Sequence, residues 1–238
     1  MPSTVFYFKY GVTIKGAVFM AEPFLEKDCA LIAMSTGEYA QTLRELKDRI
    51  RGIPIGSIYY HFWGGLLRPR FDVPEFQNDF AVWASRGMHD KILAERLALL
   101  DPTHFDNLED LRRELIDVIE ERLDESDLLP WVMATERIYF VTSQIVIFNT
   151  GRSYAIPEAL ADNIPHMSRG SIFYHFIDAR RRTPQAKNDF STWLEGFGNS
   201  YQELSDRIVA IDPYFTTLSE LREELYRVFD QYRRERKD

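Results

Sequence analysis

Apolar positions follow two different periods along this chain. Residues 29–35 and 144–149 are short, dense runs rich in Ile, Val and Ala, which read as strands. Each ends at a Thr-Gly pair, Thr36-Gly37 and Thr150-Gly151, suited to a turn. Residues 5–10, 13–20 and 132–141 are also β-branched and aromatic, and Gly11 and Gly16 punctuate the first two, so hairpins are predicted there. Downstream the spacing becomes helical. Leu43, Leu46 and Ile50 share one helix face, and Thr42 with Glu45 forms a capping box in which hydroxyl and carboxylate satisfy end amides reciprocally. Pro157 marks the corresponding helix start later in the chain, where no amide hydrogen is needed. A short second helix is predicted to carry Ser57 to Phe62, with Ser57 and Ser171 as N-caps. Pro74 opens a third segment holding Phe76, Phe80 and Trp83, and residues 92–100 form a fourth, stopped by Asp101-Pro102. Residues 107–123 and 217–232 make the longest helices, the second opened by the capping box of Thr217 and Glu220.

These elements recur. Residues 36–62 align without gaps on residues 150–176, with 11 of 27 positions identical, and the match resumes with Asn78, Asp79, Phe80 and Trp83 facing Asn188, Asp189, Phe190 and Trp193. It continues through Asp101-Pro102 on Asp212-Pro213 and through Leu111, Arg112 and Leu115 on Leu221, Arg222 and Leu225. A repeat near 110 residues is domain-sized, too long for a solenoid unit. The expected fold is helix-dominant α+β: two tandem copies of a small antiparallel β layer plus about five helices, related by a pseudo-twofold and packed as one body. Residues 1–18 would be an extra hairpin, 19–126 the first copy and 127–238 the second.

Composition narrows the function classes. The 238 residues carry 29 Lys plus Arg against 37 Asp plus Glu, for a net charge of -8. A global electrostatic grip on nucleic acid or anionic membrane is therefore not supported. One cysteine, Cys29, excludes an internal disulfide framework and a multi-cysteine zinc site. The N-terminal sequence lacks a signal-peptide pattern and no apolar run approaches spanning length, so a cytosolic protein is expected.

The candidate chemistry sits at the repeated polar positions. His61 and His175 are flanked by aromatics and pair with Asp79 and Asp189, either as polar networks holding helices together or as a shared metal site. Tight metal-ligand spacings are lacking. Asn78 and Asn188 belong to the same candidate ligand or polar network, while Asp79 caps a neighbouring helix or takes the Trp83 indole hydrogen. Arg180, Arg181 and Arg182, with Arg169 nearby, form the one local basic cluster, a candidate anion site whose first-copy counterparts are Arg68 and Arg70. Cys29 lies in an apolar strand, no nucleophile elbow is present, and neither a catalytic residue nor a cofactor is assigned.

Thr42 to Leu46, Gly52-Ile53 and the segment from Gly56 to Phe62 resemble the helix-turn-helix of TetR-family repressors, and Arg169 to Phe176 does so equally. That resemblance implies DNA reading by the second helix. Against it, a strand precedes the unit and residues 1–126 carry 15 basic against 21 acidic side chains, opposite to a phosphate-binding demand. A longer pattern resembles a family of uncharacterised bacterial proteins classed as a domain of unknown function. It comprises Thr36-Gly37, Thr42 to Leu46, Ser57 to His61, Asn78 to Trp83, Leu93 to Leu97 with Asp101-Pro102, and Leu111 to Leu115. The expectation is a binding or scaffold protein taking a protein partner or small ligand, with a DNA-binding regulator and a metal-dependent enzyme using the His-Asp pairs as alternatives. Oligomeric state is left open.

Overall fold

The computed structural model describes residues 12–14, 17–19, 21–67, 75–183 and 185–236. Residues 1–11 and 68–74, including Arg68, Arg70 and Pro74, lie outside it. In chain order the elements are β1 (Val12–Ile14), β2 (Ala17–Phe19), β3 (Phe24–Thr42), α1 (Leu43–Gly52), α2 (Ile55–Tyr59), α3 (Gly65–Leu67), α4 (Asp79–Arg86), α5 (Lys91–Ala98) and α6 (Leu108–Asp124). There follow β4 (Met133–Tyr154), α7 (Pro157–Asn163), α8 (Arg169–Ile172), α9 (Ala179–Arg182), α10 (Asp189–Glu195), α11 (Gln202–Val209) and α12 (Leu218–Glu235). The class is helix-dominant α+β. β1 and β2 pair antiparallel, with Val12 opposite Phe19.

The β structure departs from the expected pair of small layers. β3 and β4, of 19 and 22 residues, pair with each other as an antiparallel ribbon. Neither stops at its Thr-Gly pair. Gly37 and Gly151 have φ of 79° and 78°, a left-handed conformation that bends a strand without ending it. The preceding threonine supplies the missing bonds: Thr36 Oγ1 donates to the Phe140 carbonyl and accepts from Glu38 N, as Thr150 Oγ1 donates to the Glu26 carbonyl and accepts from Arg152 N.

Contacts divide the chain into two units, Met1–Cys29 with Ile147–Asp238, and Ala30–Val146. The chain passes between them inside β3 and again inside β4. Each unit therefore takes one strand segment from each half of the sequence.

In the unit of residues 30–146, helices α1 to α6 pack on the ribbon around Leu43, Leu46, Ile50, Ile58, Phe62, Phe80 and Phe140, all essentially inaccessible. Each fully buried side chain of this kind contributes about 2 kcal/mol. The predicted Thr42–Glu45 capping box opens α1. Arg112 on α6 is buried and donates from Nη1 to the carbonyls of Ile50 and Ile53, satisfying the end of α1 with a cation where the helix dipole favours one. In the unit of residues 1–29 and 147–238, Phe173, Phe176, Phe190, Phe197 and Tyr214 fill the core. Pro157 stands at the first turn of α7, the Thr217–Glu220 capping box opens α12, and Arg222 Nη1 donates to the Met167 carbonyl. Ser57 and Ser171 are not N-caps: Pro54 and Ser168 hold those positions, and both predicted serines are buried inside helices.

Candidate functional site: two histidine clasps

In the unit of residues 30–146, α2 widens after Tyr59 into a π-helical turn, Tyr60–Gly64, before α3. A Cβ at Gly64 would lie 2.7 Å from the Tyr60 ring, so only glycine lets the turn close over that side chain. The turn carries His61 into the core at 4% exposure. Its Nδ1 lies 2.9 Å from Asp79 Oδ2 on α4, and its Nε2 lies 3.2 Å from the backbone nitrogen of Val141 on β4. A backbone N–H only donates, so Nε2 is the acceptor. Nδ1 therefore carries the hydrogen and donates to Asp79. Phe80 and Phe140 pack on the ring. Helix and strand are thus fastened through one imidazole.

The other unit repeats the arrangement. His175, on the π-helical turn Phe173–Asp178, is bonded through Nδ1 to Asp189 Oδ2 at 2.7 Å and accepts at Nε2 from Lys27 N on β3 at 2.9 Å. Neighbouring bonds match too. Trp83 Nε1 donates to the Glu136 carbonyl and Trp193 Nε1 to the Glu22 carbonyl, both at 2.7 Å. The indole hydrogen thus goes to strand backbone rather than to Asp79. Asn78 and Asn188 cap α4 and α10, accepting from Ala81 N and Ser191 N, and Asn78 Nδ2 also reaches the Leu97 carbonyl on α5.

The unit of residues 1–29 and 147–238 also holds a groove of about 490 Å³ between α7, α11 and α12. Ile156, Pro157, Leu204 and Phe229 line its apolar floor. The Arg236 guanidinium lies 5.0 Å from the Tyr201 ring centre and 5.6 Å from that of Tyr232, and Nη1 donates to the Ser200 carbonyl. Among the described residues no carboxylate pairs with Arg236. Tyr201 donates its hydroxyl to Glu158 at 2.9 Å, and burial, reinforced by that bond, pushes its phenol upward so that it remains a donor.

A family model described as a family of unknown function (DUF5752) matches residues 21–230, a span that takes in both clasps and most of the groove. The chain belongs to that family. No curated protein matches it. Among solved structures it is similar to OrfY from Thermoproteus tenax, with a TM-score of 0.76 and 27% identity over 88% of this chain and 95% of that one. The DUF5752 assignment agrees with the longer of the two sequence patterns.

Within this DUF5752 member the shorter, TetR-like pattern does not form a groove-reading surface. Every residue from Ser57 to Phe62 is buried, and Ser171 to Phe176 likewise. The basic cluster is met by acid and carbonyl groups of its own unit. Asp178, 1% exposed at its side chain, takes both Arg181 and Arg182; Arg182 also reaches Asp189 and stacks on Tyr174, and Arg180 donates to the Ile211 carbonyl and packs on Phe176. Arg169 stands exposed at the start of α8. No group of three or more His, Cys, Asp or Glu side chains among the described residues is arranged to hold a metal, and no described helix is long and apolar enough to cross a membrane.

Sequence reasoning missed the strand amides of Lys27 and Val141, the buried Glu26 and the Arg236 groove. A signal for the strands was present: the gapless alignment of residues 36–62 on 150–176, carried upstream at the same offset, sets Glu22 on Glu136.

Proposed function

We propose that the protein acts by binding, and that its ligand is a compact apolar molecule bearing one carboxylate, held in the Arg236 groove. Arg236 carries this reading: a cation fixed between two tyrosine rings over an apolar floor, with no carboxylate partner among the described residues. A guanidinium there offers a carboxylate charge-assisted, bidentate hydrogen bonds, while the apolar floor receives the rest of the ligand. Ligand sites of this kind combine mostly apolar walls with a few polar groups that fix orientation. The clasps support a non-catalytic role. Each imidazole has its proton committed to aspartate and its lone pair committed to a strand amide, leaving no lone pair for a metal or for proton abstraction. The matched bonds also support reading the chain as an internal duplication whose repeated residues are dedicated to holding strands.

The test is ligand-observed NMR with phenylacetate and its uncharged analogue phenylacetamide. Saturable binding of the acid is expected, at least tenfold weaker binding of the amide, and loss of the difference in Arg236→Gln. No binding of phenylacetate at millimolar concentration, or equal binding of acid and amide, overturns the assignment.

A further inference from the structure

The two strand-receiving slots have the same backbone chemistry but opposite side-chain chemistry. In the unit of residues 1–29 and 147–238, Glu26 on β3 is wholly buried. Its Oε2 accepts from the Tyr154 hydroxyl at 2.6 Å, and its Oε1 meets Arg152 Nη2 at 2.6 Å and accepts from Ser171 Oγ at 3.3 Å. In the unit of residues 30–146 the corresponding strand residue is Phe140. The register is set by the paired threonine bonds, Thr150 Oγ1 to the Glu26 carbonyl and Thr36 Oγ1 to the Phe140 carbonyl, both 2.8 Å. Counting on from each threonine, Ala40 stands where Tyr154 does and Glu38 where Arg152 does. Phe140 and Ala40 are both inaccessible, Ser57 Oγ turns to the Val141 carbonyl, and Glu38 pairs with Arg49.

We propose that Glu26 and Phe140 are the specificity residues that sort the two strand arms, residues 22–29 and 136–143, between the two slots. The slot built on His175 fits a strand with a carboxylate at its centre, and the slot built on His61 fits one with an aromatic ring. Volume and charge are both complementary. A large Phe matched with a small Ala in one slot answers a smaller Glu bonded to a large Tyr in the other, and the position of Arg152, which pairs with Glu26, is held in the first slot by Glu38, which pairs with Arg49. Exchange fails in both directions. A phenyl ring at Glu26 crowds Tyr154 and leaves its hydroxyl, Ser171 and Arg152 without their acceptor. A carboxylate at Phe140, which is wholly buried, finds Ala40 where Tyr154 stands and Glu38 where Arg152 stands, and so neither phenol nor guanidinium at those positions. Backbone bonds to His61 and His175 accept any non-proline strand, so without these side chains the slots would not discriminate.

The test uses the full chain. Glu26→Phe is expected to lower the melting temperature by roughly 5–10 °C and to raise the exchange rate of the Lys27 amide hydrogen at least tenfold. Adding Tyr154→Ala and Arg152→Glu to Glu26→Phe installs the composition of the other slot, and more than half of the lost temperature and of the amide protection is expected to return. If Glu26→Phe alone does not fold but the triple variant does, the sorting role is supported. A Glu26→Phe protein as stable as the parent, or a triple variant no better than the single one, including failure of both to fold, overturns it.

Discussion

Each clasp histidine joins two groups that approach from opposite sides, so removing it breaks two bonds and empties a ring-sized space. His175→Ala is expected to cost about 3 kcal/mol in denaturant unfolding, combining lost hydrogen bonds with the cavity beside Phe24. The same substitution should deprotect the Lys27 amide and leave the Val141 amide unchanged, with His61→Ala giving the converse by hydrogen exchange. The aspartate partners were legible in the sequence, because matched His and Asp positions in two alignable stretches already suggest a pair. The amide partners were not, since Lys27 and His175 are 148 positions apart and a backbone group has no residue identity to read. Cys29 shows the limit from the other side. Its Sγ donates to the Gly170 carbonyl, and burial, with Asp28 and Asp178 nearby, pushes the thiol up to about 12. Because the thiolate is the nucleophile, alkylation by iodoacetamide at pH 8 should run on the order of 1,000 times slower in the folded protein than in denaturant.

Helix starts were read from sequence because their chemistry is local. Thr42 with Glu45, Thr217 with Glu220, and Pro157 each act within one turn. The glycines after Thr36 and Thr150 misled for a related reason: a positive φ serves a turn and a strand bulge alike, and the deciding bonds, to the Phe140 and Glu26 carbonyls, come from distant sequence. Ser57 and Ser171 misled because an N-cap and a buried strand contact favour the same short hydroxyl. At the bulges no atom lies within 4 Å of a Cβ built on Gly37 or Gly151, so conformation alone opposes substitution. Gly37→Ala should therefore cost about 1 kcal/mol by thermal or denaturant unfolding, with little change in structure.

At the scale of the molecule, two alignable stretches were visible in the sequence, but the passage of β3 and β4 through both units was not, because identity between two stretches says nothing about which helices each strand packs on. That passage makes a cut informative. Glu125, Asp127 and Leu128 are exposed between α6 and β4. Cleavage there yields two fragments, each supplying a strand segment to both units. The nicked protein should elute as one species by size-exclusion chromatography under native conditions and separate only in denaturant. Separation on nicking alone would contradict the assignment of β3 and β4 to both units.

The same threading imposes an order on biosynthesis. The unit of residues 30–146 is fully synthesised as soon as its last strand leaves the ribosome. Residues 24–29 emerge earlier still, yet the helices of their unit end with α12 at Glu235. At 5–20 residues per second, about 200 further residues take roughly 10–40 s. This strand segment is made long before the helices of its unit are complete, and through that interval Phe24, buried in the finished protein, is part of a nascent segment without a home.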